Sequence, residues 1–233
     1  MYPILIEFGF LKIFTYGLLV ATGFLVAIMF ASSRAEKEGL DSQKVLDLCF
    51  YIMVSALLGA RLLYVVVEYK YFWAYPLEIF KFWKGGLVFY GGLILGVLVS
   101  LWYLNRHHMP VWKTADLLVP SIAIGQAIGR WGCLFAGCCY GKETDAIFGI
   151  TFTNPRSLAP LETSLHPTQI YLSINALFIF IFLPSVYLIF RLSSRFNSNV
   201  SLGILIISSL IFYSYWNIDI YLIWLLNIIY FRP

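Results

Sequence analysis

Residues 129–141 read GRWGCLFAGCCYG, in a part of the chain that is otherwise almost wholly apolar. A guanidinium in such surroundings presents five N–H donors in a planar fork, a shape that suits a phosphate or a carboxylate. Within a membrane the phosphate at hand is that of a phospholipid, which makes Arg130 the first candidate for a site. Arg61 (in SALLGARLLYV) and Asp116 (in TADLLVP) are also set in apolar runs. An ionisable group there costs at least a few kcal/mol unless it finds a partner or a wet cavity. Pairing between helices, or reaching out to headgroups, would satisfy either arginine without any ligand. Pairing or headgroup contact weighs more for Arg61 than for Arg130, but Arg61 is kept as a further candidate ligand, and Asp116 is read as a helix-start or pairing residue. A second cluster is LHPTQIY (165–171). His166 precedes a proline, so its backbone is biased to extended geometry, and its imidazole can carry a proton near neutral pH. Thr168 and Gln169 add polar groups at the same boundary.

The cysteines leave several chemistries open. Cys49 and Cys133 lie in apolar segments, where a thiol behaves as a small hydrophobe. Cys138 and Cys139 are adjacent and follow Cys133 in the pattern C-x4-C-C. That spacing matches no common zinc motif, and adjacent cysteines rarely both ligate one tetrahedral ion. No metal and no cofactor are therefore expected. A reactive thiolate near Arg130 and a disulfide on an oxidising face remain alternative readings.

The elements that position these residues are apolar throughout. Of 233 residues, 61% are hydrophobic and 12% charged, whereas soluble domains are about a quarter charged. The expected fold is all-α, a polytopic membrane helix bundle of six to seven spans forming a single domain over 1–233. Runs of about 20 apolar residues place spans at about 10–31, 45–67, 86–104, 115–137, 169–190 and 202–225. Residues 71–84, rich in aromatics and lysine and broken by Pro76, read as an interfacial segment. The net charge of +4 is spread over short loops, which gives no surface for nucleic acid; the lipid bilayer is the expected surroundings. The first span is followed by Arg34, Lys37 and Lys44, so the positive-inside tendency puts the N-terminus outside. The 138–168 loop and the start of the third span then face outward together.

Glycines punctuate the spans. Ser55 and Gly59, Gly92 and Gly96, and Gly125 and Gly129 are each four apart, the spacing that lets helix backbones approach closely. The doublets Gly85–Gly86 and Gly91–Gly92 suggest a broken or re-entrant start to the third span, tolerated where protein or water satisfies the backbone.

Taken in order, TYGLL (15–19), GARLLYV around Arg61, GGLVFYGG (85–92), TADLLVP (114–120), GRWGCLFAGCCYG (129–141) and HPTQIY (166–171) resemble the bacterial prolipoprotein diacylglyceryl transferase family. The resemblance implies a seven-span enzyme of the inner membrane with its site facing the outer side. Such an enzyme moves diacylglyceryl from phosphatidylglycerol to the lipobox cysteine of a prolipoprotein signal peptide and releases glycerol phosphate. It implies that Arg130 clamps the lipid phosphate, that Tyr16 orients the headgroup, that Gly141 closes the signature turn, and that Tyr90 stands at a catalytic position. Arg61, Gln169 and His166 complete the expected site, His166 as a titratable catalytic group. The chain differs from the best-known form of the family at Tyr90, where that form has histidine. It differs also at Cys133 and Cys138, which replace asparagine and glutamate. The family's last-span arginine has no counterpart before Arg232, and Asp219 is the only acid of residues 209–233. Another phospholipid-dependent transferase on the same scaffold, or a lipid-binding homologue without activity, are the alternatives to this reading.

Overall fold

The computed structural model describes residues 2–8, 11–81, 85–194 and 198–216. Seven α-helices and two short two-stranded ribbons make up these residues, so the expected all-α membrane architecture is the one adopted. The chain opens with an antiparallel hairpin, β1 (Ile4–Phe8) and β2 (Leu11–Phe14), with Glu7 opposite Lys12. The first helix, α1 (Thr15–Ala35), therefore starts five residues after the expected residue 10. Thr15 is held at this junction, its hydroxyl donating to Tyr2 O at 2.6 Å and its N–H to Pro3 O.

Gly39, in the left-handed region with φ +67°, ends a 3-10 turn at Glu36–Glu38. The carboxylate of Asp41 then caps α2 (Ser42–Val67) by accepting from the N–H groups of Gln43 and Lys44, the ordinary way to satisfy orphan donors at a helix start. A short helix, α3 (Tyr69–Ala74), and a 3-10 turn at Pro76–Phe80 occupy the described part of the expected interfacial segment. Tyr71, Trp73, Tyr75, Leu77 and Phe80 are exposed along it. Helices α4 (Phe89–Arg106) and α5 (Val111–Ala136) follow. A loop carrying β3 (Ile150–Thr151) and β4 (Ser164–Leu165) leads to α6 (Thr168–Ser193), and α7 is Ser198–Trp216.

By length and composition α1 with its 3-10 extension, α2, α5 and α6 can each cross a membrane. At 18 residues, α4 rises about 27 Å, close to the thickness of the hydrocarbon core. The far end of the sixth expected span, and any seventh at the C-terminus, lie outside the described residues.

The chain divides into two compact units, residues 1–177 and 178–233. In the first, α1 packs on α5 and α2 packs on α4. Both pairs touch through glycine. A Cβ on Gly23 would lie 2.6 Å from Gly125 O, and one on Gly125 would lie 2.9 Å from Gly23 O. Gly59 and Gly91 face each other in the same way, each carbonyl standing where the other's Cβ would be. The Val88 N–H also donates to Ala60 O at 3.0 Å. Gly91–Gly92 thus lies inside α4 and serves helix contact. The break expected there is confined to Gly85–Gly86, both with φ near +78°. The core joins Ala31, Leu48, Tyr103 and Leu117 at one end of these four helices. A smaller cluster of Leu134, Phe152, Ala159 and Leu165 lies beneath the 137–167 loop at the other. The second unit carries the rest of α6 and α7; within it Phe178 and Phe182 stack one turn apart.

Gly59→Ala drives a methyl into the Gly91 carbonyl, which no side-chain movement can relieve. It should destabilise the protein by about 1–3 kcal/mol, the usual cost of overpacking. Gly17→Ala, whose added Cβ meets nothing within 4 Å, should be neutral or slightly stabilising. Thermal unfolding of both variants in detergent micelles checks the contrast.

Candidate functional site

Arg130 lies on the last two turns of α5, one turn before Cys133. It is half-buried, and its charge reaches Tyr16 on α1 and Cys133. Among the described residues no hydrogen bond or ion pair engages it. Asp116 cannot be its partner: it lies 14 residues back (130 − 116) on the same helix, about 21 Å away at 1.5 Å per residue. Tyr16 comes close because Gly132 has no side chain. A Cβ there would lie 3.2 Å from Tyr16 O and 3.3 Å from Tyr16 Cα.

The end of α5 is closed by backbone geometry. Gly137 adopts φ +76°, its N–H reaches Leu134 O, and the Cys138 N–H reaches Cys133 O at 3.1 Å. This is the paired 6→1 and 5→2 bonding of a Schellman ending. The chain then doubles back through Cys139, which is itself left-handed at φ +58°.

The HPTQ segment holds this turn in place. Thr168 donates its hydroxyl to Cys139 O, and the Gln169 amide donates to Cys138 O at 2.7 Å. The Gly141 N–H donates to His166 O at 2.9 Å, and the His166 N–H to Lys142 O at 3.0 Å. Gly141 is required here because a Cβ would stand 2.8 Å from His166 Cβ and from Thr168 Cγ2. Gln169, 1% exposed, is a clamp on the turn. Its Oε1 is buried with no hydrogen-bond partner among the described residues. Ser173 donates to Ala127 O and ties α6 to α5. The His166 ring faces Tyr171, with Nδ1 3.3 Å from the hydroxyl, and Phe148.

The structure therefore brings Tyr16 against α5 at Gly132, near Arg130, and joins Gly141, His166 and Gln169 by hydrogen bonds at the turn that ends α5. Arg61 and Tyr90 belong to the other helix pair. Tyr90 sits on the first turn of α4, 67% exposed, its ring against Phe89. Arg61 is 5% exposed. Its Nε donates to Ile79 O, Nη1 to Gly85 O and Gly86 O, and Nη2 to Glu78 O and Lys81 O. The rings of Tyr64 and Phe72 flank it. Five backbone carbonyls, on residues 78, 79, 81, 85 and 86, accept from the guanidinium. Arg61, expected as a ligand for substrate, is thus bonded to backbone carbonyls on either side of residues 82–84.

Sequence reasoning missed the tie between the N-terminal hairpin and the long loop. Arg156 donates to Glu7 at 2.7 Å, and Lys12 pairs with the same carboxylate at 2.8 Å. Both cations hold the Glu7 carboxyl below its ordinary range, hydrogen bonding to Lys12 first. Glu7 and Arg156 are 149 residues apart, and no local pattern announces such a pair.

The sulfurs of Cys133, Cys138 and Cys139 all lie within 4.8 Å of one another. Burial, reinforced by the neighbouring Cys133 and Cys139, pushes the Cys138 thiol up to about 12. At neutral pH it is a neutral thiol and a poor nucleophile. A maleimide at neutral pH should label exposed Cys139 first, and Cys138 only slowly until the protein is unfolded; mass spectrometry of timed samples reads the order. Arg61→Ala strips five carbonyls of their donor, at about 1–3 kcal/mol for each that stays buried. It should open the 76–86 segment to limited proteolysis without abolishing membrane insertion.

A family model described as prolipoprotein diacylglyceryl transferase matches residues 3–223. Among curated relatives, a protein of Clostridium tetani (strain Massachusetts / E88) named phosphatidylglycerol–prolipoprotein diacylglyceryl transferase is 40% identical over 174 residues, covering 75% of this chain and 69% of the relative. Proteins of the same name from Synechococcus elongatus (strain ATCC 33912 / PCC 7942 / FACHB-805) and Parasynechococcus marenigrum (strain WH8102) are 35% and 34% identical. The first match covers 74% of this chain and 60% of the relative, the second 91% and 76%. The matched stretch of this chain thus spans three-fifths to three-quarters of these relatives' lengths. With its arginine, its clamped turn and its HPTQ segment in this arrangement, the chain belongs to the prolipoprotein diacylglyceryl transferase family.

Proposed function

We propose that this multi-pass membrane protein transfers the diacylglyceryl group of phosphatidylglycerol to the lipobox cysteine of a prolipoprotein signal peptide. The reaction takes place at the outer side of the bacterial inner membrane and releases glycerol phosphate. The acceptor sulfur forms a bond to the glyceryl carbon that carries the phosphate. The bond from that carbon to oxygen breaks, its electron pair leaves with glycerol phosphate, and the thiol proton passes to a base.

The observation that carries this reading is Arg130, a guanidinium with no protein counter-ion among the described residues, in a chain of this family. Its task is to neutralise charge as the phosphate departs, which is worth most where water is excluded. Tyr16, brought beside α5 at Gly132, orients the headgroup. His166 is the base, the side chain type most often used for that role. Gly141 and Gln169 keep the turn beneath it in shape. Tyr90 faces the acceptor from the start of α4, and Arg61 positions it through the 78–86 loop.

The test is glycerol phosphate release by the purified protein in phosphatidylglycerol vesicles, with a lipobox peptide and its Cys→Ser control. Release should depend on the peptide's cysteine. Arg130→Ala should lower turnover at least about 100-fold, as loss of a transition-state donor does, while the protein stays folded. Tyr90→Phe should be severely impaired. Near wild-type turnover in Arg130→Ala would sink the phosphate assignment. Release without any peptide would point to a different phospholipid-dependent transferase, and binding of phosphatidylglycerol without release to a non-catalytic homologue.

A further inference from the structure

We propose that Cys133, Cys138 and Cys139 form a three-thiolate binding site for one thiophilic d10 cation, Cu(I) or Zn(II), at the end of α5. Three sulfurs at about 2.3 Å from a metal stand roughly 4 Å apart, and these lie within 4.8 Å of one another. A small inward rotation of side chains closes the difference. Soft thiolate ligands select this class of ion over magnesium, calcium or manganese.

Adjacent cysteines rarely serve one ion because ordinary extended or helical backbone turns their side chains apart. Here the backbone removes that obstacle. Cys139 is left-handed at φ +58°, directly after the Schellman ending at Gly137–Cys138, and its sulfur comes round to the side of the other two. The conformation is held from outside the cluster by Thr168 on Cys139 O and Gln169 on Cys138 O. Cys133 is buried, Cys138 half-buried and Cys139 exposed, so an ion can enter from the Cys139 side. Three thiolates around a monovalent or divalent ion leave net negative charge, and Arg130 lies one turn from Cys133 with its charge already acting on that sulfur. Binding converts three thiols to thiolates and releases three protons, with no change of oxidation state.

The experiment uses the full chain, reduced and kept anaerobic in detergent, with Cu(I) and Zn(II) added in separate arms against a competing chelator. One ion per chain should bind in at least one arm, with thiolate charge-transfer absorption and proton release on binding. Preference for Cu(I) identifies a three-coordinate site, and preference for Zn(II) one that adds a fourth ligand. Cys133→Ser and Cys139→Ser should each weaken binding at least about tenfold, the loss that even outer-shell changes cause. Cys49→Ser, in the separate core of α2, should bind like the parent and controls for folding. Reduced, folded protein that takes up neither ion overturns the proposal. So does uptake that survives Cys133→Ser, Cys138→Ser and Cys139→Ser combined. Because the readout is metal uptake, it stands or falls independently of lipid transfer.

Discussion

In hydrocarbon, two apolar helices gain little by packing leucine on leucine, because lipid tails offer the same contact. What remains is close backbone approach, and the first compact unit depends on it at Gly23–Gly125 and Gly59–Gly91. These contacts define two helix pairs, α1 with α5 and α2 with α4. They also accompany the approach of Tyr16 to α5 at Gly132 and of Val88 to α2 at Ala60. Many apolar side chains of these helices, Leu25, Leu57, Leu62, Leu98 and Ile122 among them, are left facing outward, as a lipid-facing surface requires.

Polar groups at the helix ends are then satisfied from within the protein. The guanidinium of Arg61 takes five carbonyls of one loop, and the Schellman turn after α5 takes its own. Threonine and glutamine from the start of α6 take the carbonyls of Cys138 and Cys139. The two arginines set in apolar runs thus divide their labour. Arg61 donates to five backbone carbonyls, whereas Arg130 meets no hydrogen-bond or ion-pair partner among the described residues. A charge left in that state is costly at membrane depth, which is why the lack of a partner among the described residues is informative about function.

The thiol cluster shows how far geometry can depart from sequence spacing. C-x4-C-C read along the chain counts against a shared ligand. Folded, the helix end and one left-handed residue gather the three sulfurs beside Arg130. The same compaction raises the Cys138 pKa and removes it from consideration as a nucleophile at neutral pH.

Much was determined by sequence alone. Apolar runs marked the helices because their length is dictated by bilayer thickness, whereas of the glycines spaced four apart Gly59, Gly92 and Gly125 meet another backbone closely and Gly129 meets nothing within 4 Å. Family membership was legible in the order of the motifs, and the family match covers residues 3–223. The hairpin before Thr15 was hidden within an apolar run, since periodicity cannot separate a short apolar strand from the start of a helix. Which arginine is structural, which pairs of glycines meet, and that Glu7 holds Arg156 were decided only in three dimensions. Each is a contact between segments far apart in the chain, and a single sequence records such partners without recording that they touch.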